Sequence, residues 1–254
     1  MERLGRELAA GGGLVLILDY DGTLTPIVSS PQAAHLALTH RETLRSLAEN
    51  PGARLAILSG RSLPDIKARV GLGNVVYGGC HGLEIEGAGV RFRHPRARAR
   101  SSRVGAAARL LARQLHRFPG AFLERKGVTV SLHYRGVSWQ RRAGLLNLAA
   151  QVERRVPGLT ILRGKNVLEF FPRVRWGKGK AALWISSRLT RKLRPRRVLT
   201  LYAGDDATDE AAFAALKGRG VTVRVGAGRG RADYAVKNVK AMYALLRWIG
   251  QAIG

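Results

Sequence analysis

Asp19 and Asp21 stand two residues apart in Leu18-Asp19-Tyr20-Asp21-Gly22-Thr23, directly after the apolar run Leu14–Leu18. A carboxylate at the end of a buried strand can attack phosphorus and form an aspartyl-phosphate. A second carboxylate two residues on can protonate the leaving oxygen and later activate water. Gly22 lets the backbone turn tightly, so that amides around Gly22 and Thr23 approach a phosphate. Ser59-Gly60-Arg61 follows a second apolar run, Arg54–Leu58. A hydroxyl there, just before a helix opened by Ser62, can bind a phosphate oxygen near the helix N-terminus. Lys178, in Trp176-Gly177-Lys178-Gly179-Lys180, starts a helical stretch and can neutralise charge between Asp19 and phosphate. Gly204-Asp205-Asp206-Ala207-Thr208-Asp209-Glu210 follows a third run, Arg197–Tyr202. Asp205 can complete an oxygen shell with Asp19 and a main-chain carbonyl of Asp21, with Asp206 beside it as a further candidate ligand. Mg²⁺, hard and octahedral, suits such a shell. Asp209 and Glu210 either extend this acidic group or favour a helix N-terminus through its dipole.

The three runs lack apolar–polar alternation, as expected of parallel strands buried on both faces. Helical patterns separate them. Thr39-His40-Arg41-Glu42 has the spacing of a capping box and opens a helix to about Glu49. Ser62-Leu63-Pro64-Asp65 has the same logic, with Gly71 as the C-terminal stop. Strand–helix alternation predicts an α/β fold, a Rossmann-like parallel-sheet core over residues 1–83 and 173–254 with right-handed crossovers. Ligands of such sheets bind at the carboxyl ends of the strands, where these carboxylates fall. The middle of the chain reads differently. Val128–Tyr134 alternates like a half-exposed strand, Leu159–Leu162 and Val167–Phe171 read as further strands, and amphipathic helices lie near 103–117 and 138–155. A smaller α+β unit inserted over residues 84–172 is predicted.

The 254 residues suit one or two domains, and 46% hydrophobic with 24% charged residues is ordinary for a chain with a sizeable core. The charge balance is not ordinary: 44 Lys and Arg against 17 Asp and Glu give +27. The arginines are scattered along the chain, with dense stretches at Arg91–Arg103 and Arg188–Arg197. Neither stretch has zinc-ligand spacing, RNP-like aromatics or a basic zipper, so the charge is read as a solvated surface rather than a nucleic-acid reader. Such a field also draws in small dianionic substrates. The acids say more. Six of the seventeen fall in two short segments, Asp19 with Asp21 and Asp205 to Glu210, and clustered carboxylates repel unless a cation or strong donors hold them. The single cysteine, Cys80, excludes an internal disulfide, fits a reducing compartment and is given no catalytic role. Leu14–Leu18 is far short of the roughly 20 residues of a membrane span, and Met1–Glu7 mixes charges unlike a secretory signal. A soluble, cytoplasmic chain is expected.

Two Asp, then Ser, then Lys, then an acidic pair, each at or near a strand end, is an order that resembles the haloacid dehalogenase superfamily of phosphatases over residues 14–61 and 176–209. The resemblance implies Asp19 as nucleophile, Asp21 as acid/base, Ser59 and Lys178 as phosphate and charge anchors, and Asp205 as magnesium ligand. Gly79-Cys80-His81-Gly82, Glu124-Arg125-Lys126 with His133-Tyr134-Arg135, Gly164-Lys165 with Glu169, Trp176-Gly177-Lys178-Gly179 and the Gly204–Glu210 motif further resemble the trehalose-6-phosphate phosphatases, over most of the chain. By that resemblance the inserted unit is a cap that reads the sugar. Glu124, Lys126, His133 and Glu169 would face hydroxyls, and Gly60, Arg61 and His81 would lie near the phosphate end. Carboxylates and ammonium groups suit hydroxyls well. Glu124 and Lys126 also read as one exposed strand face, and His133 as a packed histidine. The implied activity is Mg²⁺-dependent hydrolysis of trehalose 6-phosphate, with a small sugar phosphate as partner; no membrane is expected, nor nucleic acid despite the basic charge, and a monomer is favoured although the sequence does not give the oligomeric state. A phosphatase for sucrose- or mannosylglycerate-type phosphates, or a polyanion binder on the same fold, are the alternatives. Gly177 departs from a more usual polar residue before Lys178.

Overall fold

In the computed structural model the strand β1 (Gly13–Leu18) is buried at all six residues and lies at the middle of an eight-stranded sheet. Leu14, Leu16 and Leu18 pack into one apolar layer and Val15 and Ile17 into another, which is why the run shows no alternation in polarity. The structure describes residues 5, 12–28, 33–193, 197–228 and 230–253. After β1 the chain forms α1 (Leu38–Glu49), β2 (Ala53–Leu58), α2 (Leu63–Val70), β3 (Val75–Gly79), β4 (Glu84–Gly87) and β5 (Val90–Arg93). A second unit follows, with α3 (Pro95–Ala99), α4 (Ser101–Ala112), β6 (Phe122–Arg125), β7 (Val130–His133), α5 (Trp139–Arg155), β8 (Leu159–Gly164) and β9 (Val167–Pro172). The first unit resumes with α6 (Lys178–Thr190), β10 (Val198–Gly204), α7 (Glu210–Leu216), β11 (Val221–Val225), β12 (Tyr234–Val236) and α8 (Val239–Ala252).

The first unit's sheet has the order β12-β11-β10-β1-β2-β3-β4-β5, parallel from β12 to β3 and antiparallel where β4 meets β3. Leu44 of α1, Ile66 of α2 and Leu246 of α8 fill one layer, and Ile185 of α6 and Phe213 of α7 fill the other. Burying each such side chain is worth about 1.5–3 kcal/mol. Ser62 caps α2 as expected, its Oγ accepting from the Asp65 amide at 3.3 Å, and Gly71 ends that helix at φ +64°. Helix α1 departs from the capping-box expectation. It begins at Leu38 after Ala37, and Thr39 sits inside the first turn, where its carbonyl accepts from Thr43 Oγ1 at 3.0 Å.

The second unit spans Arg93–Arg175, which corrects the expected 84–172. Residues 84–92 belong to the first unit because β4 pairs with β3 along Tyr77–Gly79, and β5 extends the same sheet. Within Arg93–Arg175 an antiparallel sheet of order β6-β7-β9-β8 carries α4 and α5 on one face. Val130, Leu132, Leu168 and Phe170 point to those helices, leaving Ser131, His133 and Glu169 on the opposite face. The helix expected near 103–117 stops at Ala112, and a separate 3₁₀ turn covers Leu115–Arg117. Among the described residues no helix is long and apolar enough to cross a membrane.

Candidate active site

Because β1 lies between β10 and β2, the residues after these three strands converge on one sheet edge. Asp19 leaves β1 buried, its amide donating to the Ala203 carbonyl at 2.9 Å. The chain then folds back: the Gly22 amide donates to the Thr25 carbonyl at 2.7 Å, and the amides of Leu24 and Thr25 donate to the Tyr20 carbonyl. Gly22 adopts φ +84°, and a Cβ there would lie 2.0 Å from Asp205 Oδ2. Only glycine permits that turn and that approach together. Thr23 is fully buried, and its Oγ1 has no hydrogen-bond partner among the described residues.

Lys178, the first residue of α6, is the hub of the site. Its Nζ donates to Asp19 Oδ1 at 2.9 Å and to Asp209 Oδ1 at 2.8 Å, with both carboxylates buried. Burial by itself would lower the Lys178 ammonium, but Asp19 and Asp209 outweigh it and hold it well above its ordinary value. Asp209 accepts from Tyr202 Oη at 2.6 Å through Oδ1, and from the amides of Asp205 and Asp206, both at 3.1 Å, through Oδ2. Asp206 turns to its own loop. Its Oδ1 accepts from the Thr208 amide at 2.8 Å, from Thr208 Oγ1 at 2.7 Å and from the Asp209 amide at 3.2 Å.

Oxygens of Asp19, Asp205 and Asp209 lie within 4.8 Å of one another, and these are the carboxylates the structure gathers. Burial raises Asp19 well above the ordinary carboxylate range; Lys178 opposes this while Asp209, Asp206 and Asp205 add to it. Asp205 is pushed up to about 7, first by burial and then by the charges of Asp206 and Asp209. A hard divalent cation fits a set of crowded oxygens that otherwise resist ionisation. Asp209 is already saturated by Lys178, Tyr202 and two amides, so Asp19 and Asp205 are the side chains left for such an ion.

Ser59 is buried at the end of β2, where its Oγ accepts from the Arg61 amide at 3.2 Å. The Ser59–Arg61 turn is tied to the Cys80–His81 turn by His81 N to Ser59 O at 2.9 Å and Cys80 N to Arg61 O at 2.7 Å. Gly60 and His81 pack so closely that a Cβ on Gly60 would meet His81 Cε1 at 2.9 Å. Arg61 lies 5.4 Å from the Tyr20 ring centroid and reaches Asp21 by two hydrogen bonds and Asp65 by a third at 2.8 Å. Asp65 in turn receives Arg69 Nε at 2.9 Å. The guanidinium expected near the phosphate end is therefore bound to the carboxylate of Asp21.

The polar sheet face of the second unit gathers Glu124, Lys126, His133 and Glu169. His133 Nε2 and Glu124 Oε2 are 2.8 Å apart, and Lys126 Nζ lies 3.8 Å from Glu124 and 3.7 Å from Glu169. Two residues escaped the sequence reading. Thr129 Oγ1 donates to Glu169 Oε1 at 2.7 Å, and Ser131 pairs in register with both Glu124 and Glu169, its buried Oγ having no partner among the described residues. Their only signal was the period of two along the Val128–Tyr134 run. Asp209 and Tyr202 were also missed as site residues, although Asp209 lay inside the acidic motif.

The fold is that of the haloacid dehalogenase-like hydrolases. One from Bacteroides thetaiotaomicron superposes at TM-score 0.64 over 93% of this chain and 99% of its own, with 15% identity. A sequence profile of the trehalose-phosphatase family matches residues 17–246, and the chain belongs to that family of phosphatases. The trehalose-phosphate phosphatase of Mycobacterium tuberculosis is 36% identical over 226 residues, 87% of this chain and 57% of that protein. A crystal structure of a trehalose-6-phosphate phosphatase related protein matches at TM-score 0.78 with 26% identity, covering 93% of this chain and 97% of that one. The chain spans from 19% to 57% of the length of the curated mycobacterial relatives it matches.

Proposed function

We propose that this chain is a Mg²⁺-dependent phosphatase that converts trehalose 6-phosphate to trehalose and phosphate through an aspartyl-phosphate on Asp19, completing trehalose synthesis. The observation that carries the reading is the buried bridge from Lys178 Nζ to Asp19 and Asp209, beneath a carboxylate set suited to a divalent ion. Mg²⁺, held by Asp19, Asp205 and the main-chain carbonyl of Asp21, would supply charge neutralisation for the phosphate dianion.

A carboxylate oxygen of Asp19 attacks phosphorus as the bond from phosphorus to the sugar oxygen breaks, and Asp21 gives its proton to that oxygen. Asp21 then takes a proton from water as the water oxygen attacks phosphorus. The phosphorus–Asp19 bond breaks, releasing phosphate and restoring the Asp19 carboxylate and the proton on Asp21. The division of labour matches exposure: the Asp19 side chain is 4% exposed and that of Asp21 is 40% exposed, so only Asp21 is open to a leaving group and to water. Lys178 opposes the effect of burial on Asp19 and orients its carboxylate. The hydroxyls of Ser59 and Thr23 and the amides beyond Gly22 receive phosphate oxygens. In the second unit Glu124, Lys126, Glu169 and His133 bind sugar hydroxyls, and Ser131 adds a hydroxyl without a partner among the described residues.

Phosphate release from a panel of sugar phosphates, with and without Mg²⁺, tests the reading. Trehalose 6-phosphate should be the preferred substrate and should need the metal. Preferential turnover of a sucrose- or mannosylglycerate-type phosphate, or no turnover of any, would overturn it.

A further inference from the structure

Asp205 is held by its main chain from two sides. Its amide donates to Asp209 Oδ2 at 3.1 Å, and its carbonyl accepts from Arg224 Nη2 at 3.2 Å. Arg224 stands on β11 opposite Gly204 of β10, so its side chain reaches across the end of the neighbouring strand. Val221, Val223 and Val225 pack into the apolar layer that holds Leu14, Leu16 and Leu18. Alternation along β11 therefore turns Arg224 to the other side of the sheet, where α7 begins. There its Nη1 donates to Oε1 of Glu210, the first residue of α7, at 2.6 Å. A third segment closes over this ion pair: Glu210 Oε2 accepts from the Arg231 amide at 2.9 Å, and a Cβ on Gly230 would meet Glu210 Oε1 at 2.3 Å. One guanidinium thus ties both ends of the acidic segment Asp205–Glu210 to β11. Its side chain is only 15% exposed, so water does not readily replace these bonds when they are lost.

We infer that Arg224 is a positioning residue for the divalent ion: by clamping the Asp205 carbonyl to the start of α7, it sets where the Asp205 carboxylate meets that of Asp19. The inference rests on the reading of Asp19 and Asp205 as the side chains that hold the ion. Placement matters here, and charge works against it. A guanidinium near a metal site repels the metal, so charge alone would make Arg224 an opponent of Mg²⁺ binding. Glu210 offsets that repulsion, which lets the pair stand behind Asp205 at small electrostatic cost. The two acceptors also account for arginine over lysine. A rigid fork serves both at a fixed separation from Nη1 and Nη2, whereas an ammonium on a flexible stem acts as a point charge. Positioning and charge therefore predict opposite signs. Removing the guanidinium strengthens Mg²⁺ binding if only its charge acts, and weakens it if the group holds Asp205.

The test is calorimetric titration of Mg²⁺ into the full chain freed of metal by chelator, with Mn²⁺ electron paramagnetic resonance as a second readout. R224M and R224Q should raise the dissociation constant about tenfold or more, the usual cost of removing a group that orients a metal ligand. R224K should raise it about fivefold, because it keeps the charge and loses the fork. K217M, which removes one exposed positive charge from the same unit, should stay within about twofold. At saturating Mg²⁺ the kcat of the Arg224 variants should return to within about threefold of wild type, with KM for the sugar phosphate unmoved. A raised KM that Mg²⁺ does not restore would assign Arg224 to substrate binding and overturn the inference. Circular dichroism of the metal-free proteins checks the fold, and R224K decides the matter if R224M and R224Q do not fold. Unchanged or tighter Mg²⁺ binding in R224M and R224Q, wild-type affinity in R224K, or an equal loss in K217M would each overturn the inference and leave the phosphatase reading standing. A wild type that binds no Mg²⁺ would overturn the metal reading together with it.

Discussion

Arg61 holds Asp21 at two points, Nε donating to Oδ2 at 2.7 Å and Nη2 to Oδ1 at 2.6 Å. A lysine cannot make this parallel pair. Arg61→Lys should therefore lower kcat/KM for a sugar phosphate about 10- to 100-fold while KM moves little. An aryl phosphate, whose leaving group needs no proton, should lose far less. Equal losses on both substrates would assign Arg61 to phosphate binding or to the fold instead.

Asp19→Asn should reduce turnover below a thousandth of wild type with circular dichroism unchanged, since an amide nitrogen does not attack phosphorus here. Acid quenching of wild type on radiolabelled substrate should trap label on the protein, and Asp19→Asn should trap none. Turnover within tenfold of wild type would end the assignment.

Excess chelator should abolish activity and Mg²⁺ should restore it. Gly22→Ala probes the same place through the backbone, because the new Cβ would meet Asp205 Oδ2 at 2.0 Å in a left-handed turn. The conformation alone costs about 1–2 kcal/mol, and displacement of Asp205 should raise the Mg²⁺ concentration for half-maximal rate at least tenfold. An unchanged Mg²⁺ requirement would separate Asp205 from the ion.

Tyr202→Phe removes only the hydroxyl that donates to Asp209 Oδ1 at 2.6 Å. Leaving that buried carboxylate one donor short should cost about 1–3 kcal/mol, a fall of roughly 2–12 °C in Tm. Calorimetry showing no change would mean that Lys178 and the two amides satisfy Asp209 by themselves.

Glu124→Ala, Lys126→Ala and Glu169→Gln test the sugar contacts. Each charge-assisted hydrogen bond is worth about 1.5–3 kcal/mol, so kcat/KM for trehalose 6-phosphate should drop roughly 10- to 150-fold per residue. Hydrolysis of a small aryl phosphate by the same proteins should stay near wild type. If it falls in parallel, these side chains support structure rather than sugar recognition.

The candidate site at this sheet edge was legible because each of its residues directly follows a run buried on both faces or opens a helix, as Asp19, Ser59, Asp205 and Lys178 do. Strand ends and helix starts are local events, and local events leave a mark in sequence. Asp209 was harder to read: an acid just before a helix is ordinary, and only the arrival of Lys178 and Tyr202 from distant segments makes it a buried junction. Residues 84–92 were assigned to the wrong unit because nothing local distinguishes pairing with β3 from pairing elsewhere. Thr39 had the right spacing for a cap, yet the helix began one residue earlier and took it in.

Gly13 pairs with Val198, so β1 gains its second neighbour only after the whole intervening chain has left the ribosome. At roughly 5–20 residues per second that wait is on the order of 10–40 s. The strands and helices of Arg93–Arg175 draw all their sheet partners from one continuous stretch and can finish first. Asp19, the proposed nucleophile, thus waits half-flanked while the residues of the other unit are made, and synthesis order keeps it apart from Lys178 and Asp209 until the last third of the chain appears.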